Sequence, residues 1–276
     1  MSDVQTPLAF NDAVNLLDAY TKQSFVSDVW VPSLKKVIKI KELNAKQQKS
    51  LLSFALDSSS NGYKPFFTKA IYQILIENAL CEKSVIDNLT FFDRLFISVA
   101  MKSQVSDSIR IDFSTTEEEK NDTNSEDVIL SELISKFSDY THPSPENLLL
   151  EKNGTELIIR LVVPTIKREV EYFENMPLYK TNEGEEGLKA FIADAYLYET
   201  SKYIENISIA NNDLFYNTLS IKQKIAMVEK LPAAIIQSII DKISTWKTYV
   251  DSFLTVTSST GVKKILEIDT TLFLSN

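Results

Sequence analysis

The sequence predicts an α+β fold, with mixed helices, short antiparallel sheets and hairpins, and a helix-rich C-terminal half. Three observations predict it. Asn153-Gly154 sits between two apolar runs, Leu148–Glu151 and Glu156–Val163, and an Asn-Gly pair supplies the positive φ values that a tight hairpin turn needs. Ile235, Ile236, Ile239, Ile243, Trp246, Tyr249, Val250 and Phe253 keep helical spacing. Lys35–Glu42 alternates as a strand does, with Ile38 and Ile40 facing one way and Lys39 and Lys41 the other.

The remaining elements follow in chain order. Ala13, Leu16, Leu17 and Tyr20 mark one face of a helix over Asn11–Thr21. Trp30-Val31-Pro32-Ser33 reads as an extended segment that turns at Pro32. Asn44 and Gln47 form a capping box that opens a helix through Leu56. Pro65 starts the next helix, which carries Phe66, Ala70, Ile71, Ile74 and Leu75. Thr90 and Asp93 cap a third, with Phe92, Phe96 and Val99 along its face. Val105–Phe113 is expected as a strand on which Ile109, Ile111 and Phe113 alternate. Helices are expected from Lys167 to Phe173, from Gly187 to Asn206, and from the Ser220/Gln223 capping box to Lys230. A further helix begins at Pro232, and Val262–Ile268 reads as a closing strand before Leu272-Phe273-Leu274.

Thr115–Asp127 breaks this pattern. It holds Glu117, Glu118, Glu119, Asp122, Glu126 and Asp127 and has no large apolar residue, so it reads as a solvated connector. The expected organisation is therefore a helix-and-strand unit over 1–113, an acidic connector over 114–127, and a hairpin-plus-helices unit over 128–276. A docking tail for a basic partner is the sharper reading of the connector, and the solvated reading is preferred.

Composition narrows the function classes. The 276 residues have 44% hydrophobic content, enough for a sizeable core, and a net charge of −9. An acidic surface repels phosphate backbones and anionic headgroups, so neither nucleic acid nor membrane is expected as a partner. Met1-Ser2-Asp3-Val4 opens no basic region followed by an apolar run, so no signal peptide is expected. Gly62, Gly154, Gly184, Gly187 and Gly261 never fall into a phosphate-cradling pattern. A single cysteine, Cys81, forms no intramolecular disulfide and fits a reducing compartment.

Catalytic chemistry finds little to work with. A Ser-His-Asp or Cys-His mechanism needs a histidine, and the single one is His142, in a loop beside Pro143. Pairing it with Cys81 is the catalytic reading; an exposed loop histidine and a small buried thiol is the preferred one. One Cys and one His do not make a zinc site. No catalytic, cofactor or metal site is assigned, and no enzyme is expected. The residues expected to meet a partner are the basic stripe Lys35, Lys36, Lys39 and Lys41 and the aromatic stripe Trp246, Tyr249 and Phe253. Each has a blander reading: lysines also protect a strand from edge-to-edge association, and a helical aromatic stripe also fills a core.

Several segments in order resemble one family, the baseplate hub assembly proteins of T-even-type contractile-tailed bacteriophages. Val31–Leu43 resembles the family's Pro-Ser turn and basic strand, and Asn44–Leu56 the helix after it. Leu89–Phe96, Lys102-Ser103 and Ile109–Phe113 resemble a middle block of aromatic-Asp helix, polar turn and strand. Leu157–Thr165 is similar to its strand-to-Pro segment, Ser220–Ile243 to its late helical pair, and Gly261–Asp269 with Phe273 to its closing strand. Where members carry Cys pairs near the middle turn and the C-terminus, this chain has none, which removes a zinc knuckle from the reading.

The resemblance implies a hub component or hub assembly factor that acts by protein–protein binding, without catalysis or cofactor. Its partners would be other baseplate hub or tail proteins. It would sit in the host cytoplasm during assembly, and in the tail baseplate of the virion if it stays in the particle. Two alternatives stand beside it: a tail assembly chaperone that binds the tape-measure protein, and a hydrolase built on converging carboxylates, which requires an Asp- or Glu-lined pocket.

Overall fold

Short antiparallel sheets alternate with helices along the chain, so the fold is α+β. The structure, a computed structural model, describes residues 10–21, 26–51, 53, 65–114, 124–177, 184–268 and 272–273. Helix α1 spans Phe10–Thr21, as its spacing predicts, but Leu16 and Leu17 are exposed. The side chains of Ala13 and Tyr20 lie outside the described residues.

Strand β1 (Val26–Val31) pairs antiparallel with β2 (Lys36–Lys41), in register from Val26 opposite Lys41 to Val31 opposite Lys36. Pro32–Leu34 form a 3-10 turn, and Lys35 closes it in the left-handed region at φ 47°. Trp30-Val31, read as a lead-in to a turn, is thus half of a hairpin. Val29, Val31, Ile38 and Ile40 form its buried face. Helix α2 (45–51) follows its capping box, in which Gln47 N–H donates to Asn44 Oδ1 at 2.9 Å and Asn44 N–H to Gln47 Oε1 at 3.1 Å. Ser53 is helical, and the rest of its expected run to Leu56 lies outside the described residues.

Helix α3 (Pro65–Asn78) buries Ala70, Ile71, Ile74 and Leu75, and the short α4 (Lys83–Asp87) leads into α5 (Phe91–Ser103). Thr90 and Asp93 cap α5 reciprocally, and Phe92, Phe96 and Val99 are fully buried. Strand β3 is shorter than expected, Ser108–Asp112, and pairs with β4, Ser125–Ile129. That pairing corrects the expected connector at its C-terminal end. Ser125–Asp127 are strand, because Asp127 lies opposite Arg110 and the Glu126 carboxylate accepts Ser259 N–H at 2.8 Å and Ser259 Oγ–H at 2.6 Å. Acidic side chains do not prevent pairing when each has a donor or solvent to face. Residues 115–123 lie outside the described residues.

Helix α6 (Leu130–Ser135) and a loop lead to the central sheet, ordered β5-β6-β7-β8. Strands β5 (Glu146–Lys152) and β6 (Thr155–Leu161) flank Asn153 at φ 53° and Gly154 at φ 74°, the hairpin the sequence predicts. Helices α7 (Ile166–Asn175) and α8 (Gly184–Ser201) follow. The helix expected to reach Asn206 stops at Ser201. Ile204–Ile209 instead form β7 along β6, and Asn212–Asp213 form β8. Ile207 opposite Ile159 is a β-branched pair on the buried face, which a pleated surface accommodates better than a helix. Helices α9 (Ile221–Val228) and α10 (Ala233–Phe253) precede β9 (Thr255–Thr257) and β10 (Lys263–Ile265), the latter shorter than the expected Val262–Ile268.

One hydrophobic cluster runs from Val29 through Phe96, Ile159 and Trp246 to Leu272, so residues before and after the acidic segment share a core. A smaller cluster gathers Tyr172, Met176, Tyr198 and Ile225 between α7, α8 and α9. No helix among the described residues is long and apolar enough to cross a membrane.

Candidate interaction surface

The β1–β2 hairpin is held down on one face and open on the other. Its turn is fastened to α5 by Asp93, which is fully buried. The Asp93 carboxylate accepts Ser33 N–H at 3.0 Å, Ser33 Oγ–H at 2.5 Å, and Thr90 N–H and Oγ1–H at 2.7 Å each. One carboxylate therefore caps a helix and positions a hairpin 60 residues earlier in the chain. The outer edge of β2 is taken by the segment after α3: Ile40 bridges Ala79, and Leu80 N–H donates to Lys39 O at 2.7 Å.

Strand alternation then decides what the open face carries. Val26, Asp28 and Trp30 lie on it from β1, and Val37, Lys39 and Lys41 from β2. Trp30 lies opposite Val37, and Asp28 opposite Lys39. Leu80, next to Lys39 in this pairing, extends the row. Large apolar side chains stay substantially uncovered: Val37 is 51% exposed, Leu80 50%, Val26 43% and Trp30 37%. Lys39 Nζ stands 3.9 Å from Asp28 with both groups well solvated, a pair worth about 1 kcal/mol or less to the hairpin. The face is an apolar strip centred on Trp30 and Val37, with charges in defined places.

This arrangement separates the four lysines expected to form a stripe. Lys39 and Lys41 share the open face. Lys35 sits in the turn, and Lys36, opposite Val31, belongs to the face of Ile38 and Ile40 at its rim. The side-chain period of two that makes Ile38 and Ile40 core residues also moves Lys36 away from its neighbours. The residues of this face that the sequence does not mark as partner-binding candidates are Val26, Trp30, Val37 and Leu80. The alternation Val26-Asp28-Trp30 against Val29-Val31 is the signal that marks the first strand.

The aromatic stripe of α10 turns inward. Trp246 is buried, its ring 6.5 Å from that of Tyr203. Tyr249 stacks on Tyr140 at 5.5 Å, and its hydroxyl accepts Thr141 N–H at 3.3 Å. Phe253 meets the Tyr140 and Tyr249 rings edge-on, each at 5.3 Å. These residues fasten the loop after α6 to α10, and Tyr249 alone of the three keeps an exposed side.

His142 is not the exposed loop residue that its flanking proline implies. It is half-buried, edge-on to Phe92 and Tyr140 at 6.3 Å each, and its buried Nδ1 has no hydrogen-bond partner among the described residues. Burial lowers its pKa, and the nearby Asp93 charge opposes that shift. Among the described residues no hydrogen bond joins it to Cys81, whose thiol pKa is raised by burial.

A cavity of about 710 Å³ lies between α2, α3 and α7, with Tyr72, Glu77, Lys167 and Glu174 in its wall. Of its three carboxylates, Glu77, Glu171 and Glu174, two are engaged. Glu77 accepts from Gln73 and Gln47 at 2.9 Å each, which holds its pKa below the ordinary value, and Glu174 pairs with Lys69 at 2.6 Å. Just behind the wall, Asp87 accepts the Tyr72 hydroxyl at 2.6 Å and pairs with Lys167 at 3.1 Å, and its pKa too is lowered. Among the described residues, no group of three or more His, Cys, Asp or Glu side chains is placed to hold a metal ion.

No protein family matches this chain, and neither a curated protein nor a solved structure does.

Proposed function

We propose that this chain is a baseplate hub protein or hub assembly factor of a contractile-tailed bacteriophage, working by protein–protein burial and not by catalysis. The open face of the β1–β2 hairpin is the observation that carries the reading. Its second strand belongs to Val31–Leu43, one of the segments that resemble the family, and it presents Val37 beside Trp30. A tryptophan in an apolar strip with charges around it is the composition of an interface hot spot. Lys39, Lys41 and Asp28 would set the register of the partner on that strip.

The tape-measure chaperone reading uses the same surface and differs in the lifetime of the complex. The hydrolase reading requires a carboxyl held protonated near neutral pH, and Glu77 in the cavity wall is shifted the other way.

Co-expression with the hub and tail subunits of a contractile-tailed phage, followed by capture of the chain and mass spectrometry, tests the reading. A stable complex with a hub subunit supports it. Finding the chain also in purified tails makes it a structural component, and finding it in the lysate complex alone makes it an assembly factor. A chain that ignores every hub and tail protein contradicts it.

A further inference from the structure

The central sheet ends at β5, and no strand among the described residues pairs with that edge. Among the described residues, no backbone hydrogen bond reaches Glu146–Lys152 from outside the sheet. Soluble proteins protect such an edge with a central charge, a proline, a bulge or a covering segment. β5 has three consecutive leucines in its middle instead, and Leu149 is 64% exposed. The bulge in this sheet lies elsewhere, between β6 and β7 at Arg160/Leu161.

We propose that β5 is a self-association edge, at which two copies of this chain pair their β5 strands antiparallel about a two-fold axis through Leu149. The order of residues in the strand identifies the occupant. Glu-Asn-Leu-Leu-Leu-Glu-Lys reads polar, polar, Leu, Leu, Leu, polar, polar from either end. A two-fold pairing sets Leu149 opposite its own copy and Leu148 opposite Leu150, as an isologous interface requires. Leu148 already packs against the core, on the face that carries Ile159 and Ile207. The pairing therefore continues that face from one copy into the next and joins two four-stranded sheets into one. A strand from a different protein would satisfy the backbone groups but not the palindrome. This inference is independent of the hairpin surface.

Analytical ultracentrifugation of the full chain tests it, with two variants. The wild type is expected to sediment as a dimer at micromolar concentration. Leu149→Lys, which places like charges across the axis and removes the leucine contact, is expected to weaken the dimer on the order of a hundredfold with an unchanged circular dichroism spectrum. Leu149→Cys in a Cys81→Ser background is expected to give a covalent dimer with a short bis-maleimide, since facing side chains start about 5 Å apart. That arm decides the matter if Leu149→Lys fails to fold. A wild type that stays monomeric up to about 100 µM, where even a weak edge pairing with a micromolar Kd is populated, overturns the proposal. So does a dimer that Leu149→Cys cannot cross-link.

Discussion

Single residues do most to place the hairpin. Asp93 is readable from the sequence as the third residue of a capping box, and the box is present. Its second partner, Ser33, was not legible, because nothing local connects residues 60 positions apart. Asp93→Ala leaves the donors of Ser33 and Thr90 buried without their acceptor and is expected to destabilise the chain by about 3 kcal/mol, as read by urea unfolding. His142 gives a pH signature. Burial, opposed by Asp93, holds its folded-state pKa below the unfolded value of about 6.5, so the unfolded chain binds the proton more readily. Its contribution to stability is present above that pH and is lost as pH falls toward the folded-state value. His142→Gln is therefore expected to lose less stability between pH 7.5 and pH 5 than the wild type, compared by chemical denaturation at both pH values.

At the scale of elements, legibility followed local chemistry. The capping boxes at Asn44, Thr90 and Ser220 and the Asn153-Gly154 turn all stand where the sequence puts them, because each is closed by residues within a few positions. Gly154→Ala is expected to cost about 1–2 kcal/mol through the left-handed backbone alone, since an added Cβ there meets nothing within 4 Å. A fall in thermal midpoint without loss of the folded spectrum checks it. The elements that escaped, β1, β4 and β7, depend on a partner strand. β7 follows a genuine helix without a glycine or proline between them, and only its register with β6 separates Ile204–Ile209 from more helix. β4 hid behind its acidic residues until Arg110 and Ser259 were placed beside them.

The whole molecule brings charges into its interior as well as onto its surface. Lys202 is 3% exposed and reaches Glu199 at 2.8 Å and Glu169 at 3.3 Å, over the rings of Phe91 and Tyr203. Desolvation alone would lower its pKa, but the two glutamates reverse that shift and it is raised. Lys202→Ala strands Glu169 beside a cavity and is expected to destabilise by about 3–5 kcal/mol, whereas Lys202→Met with Glu169→Gln should recover part of that loss in the same denaturation assay. Nothing in the pattern of residues 199–203 announces this cluster, which exists because α7 and α8 pack together. The apolar strip of the hairpin is likewise a tertiary fact, since Leu80 joins it from the end of α3. That strip is the proposed docking face. Its most direct test is parallel capture of hub subunits by the wild type and by the Trp30→Ser/Val37→Lys variant, both first shown to share a thermal midpoint within a few degrees. A complex with the wild type and its loss in the variant are expected. A complex that survives both substitutions undiminished would contradict it.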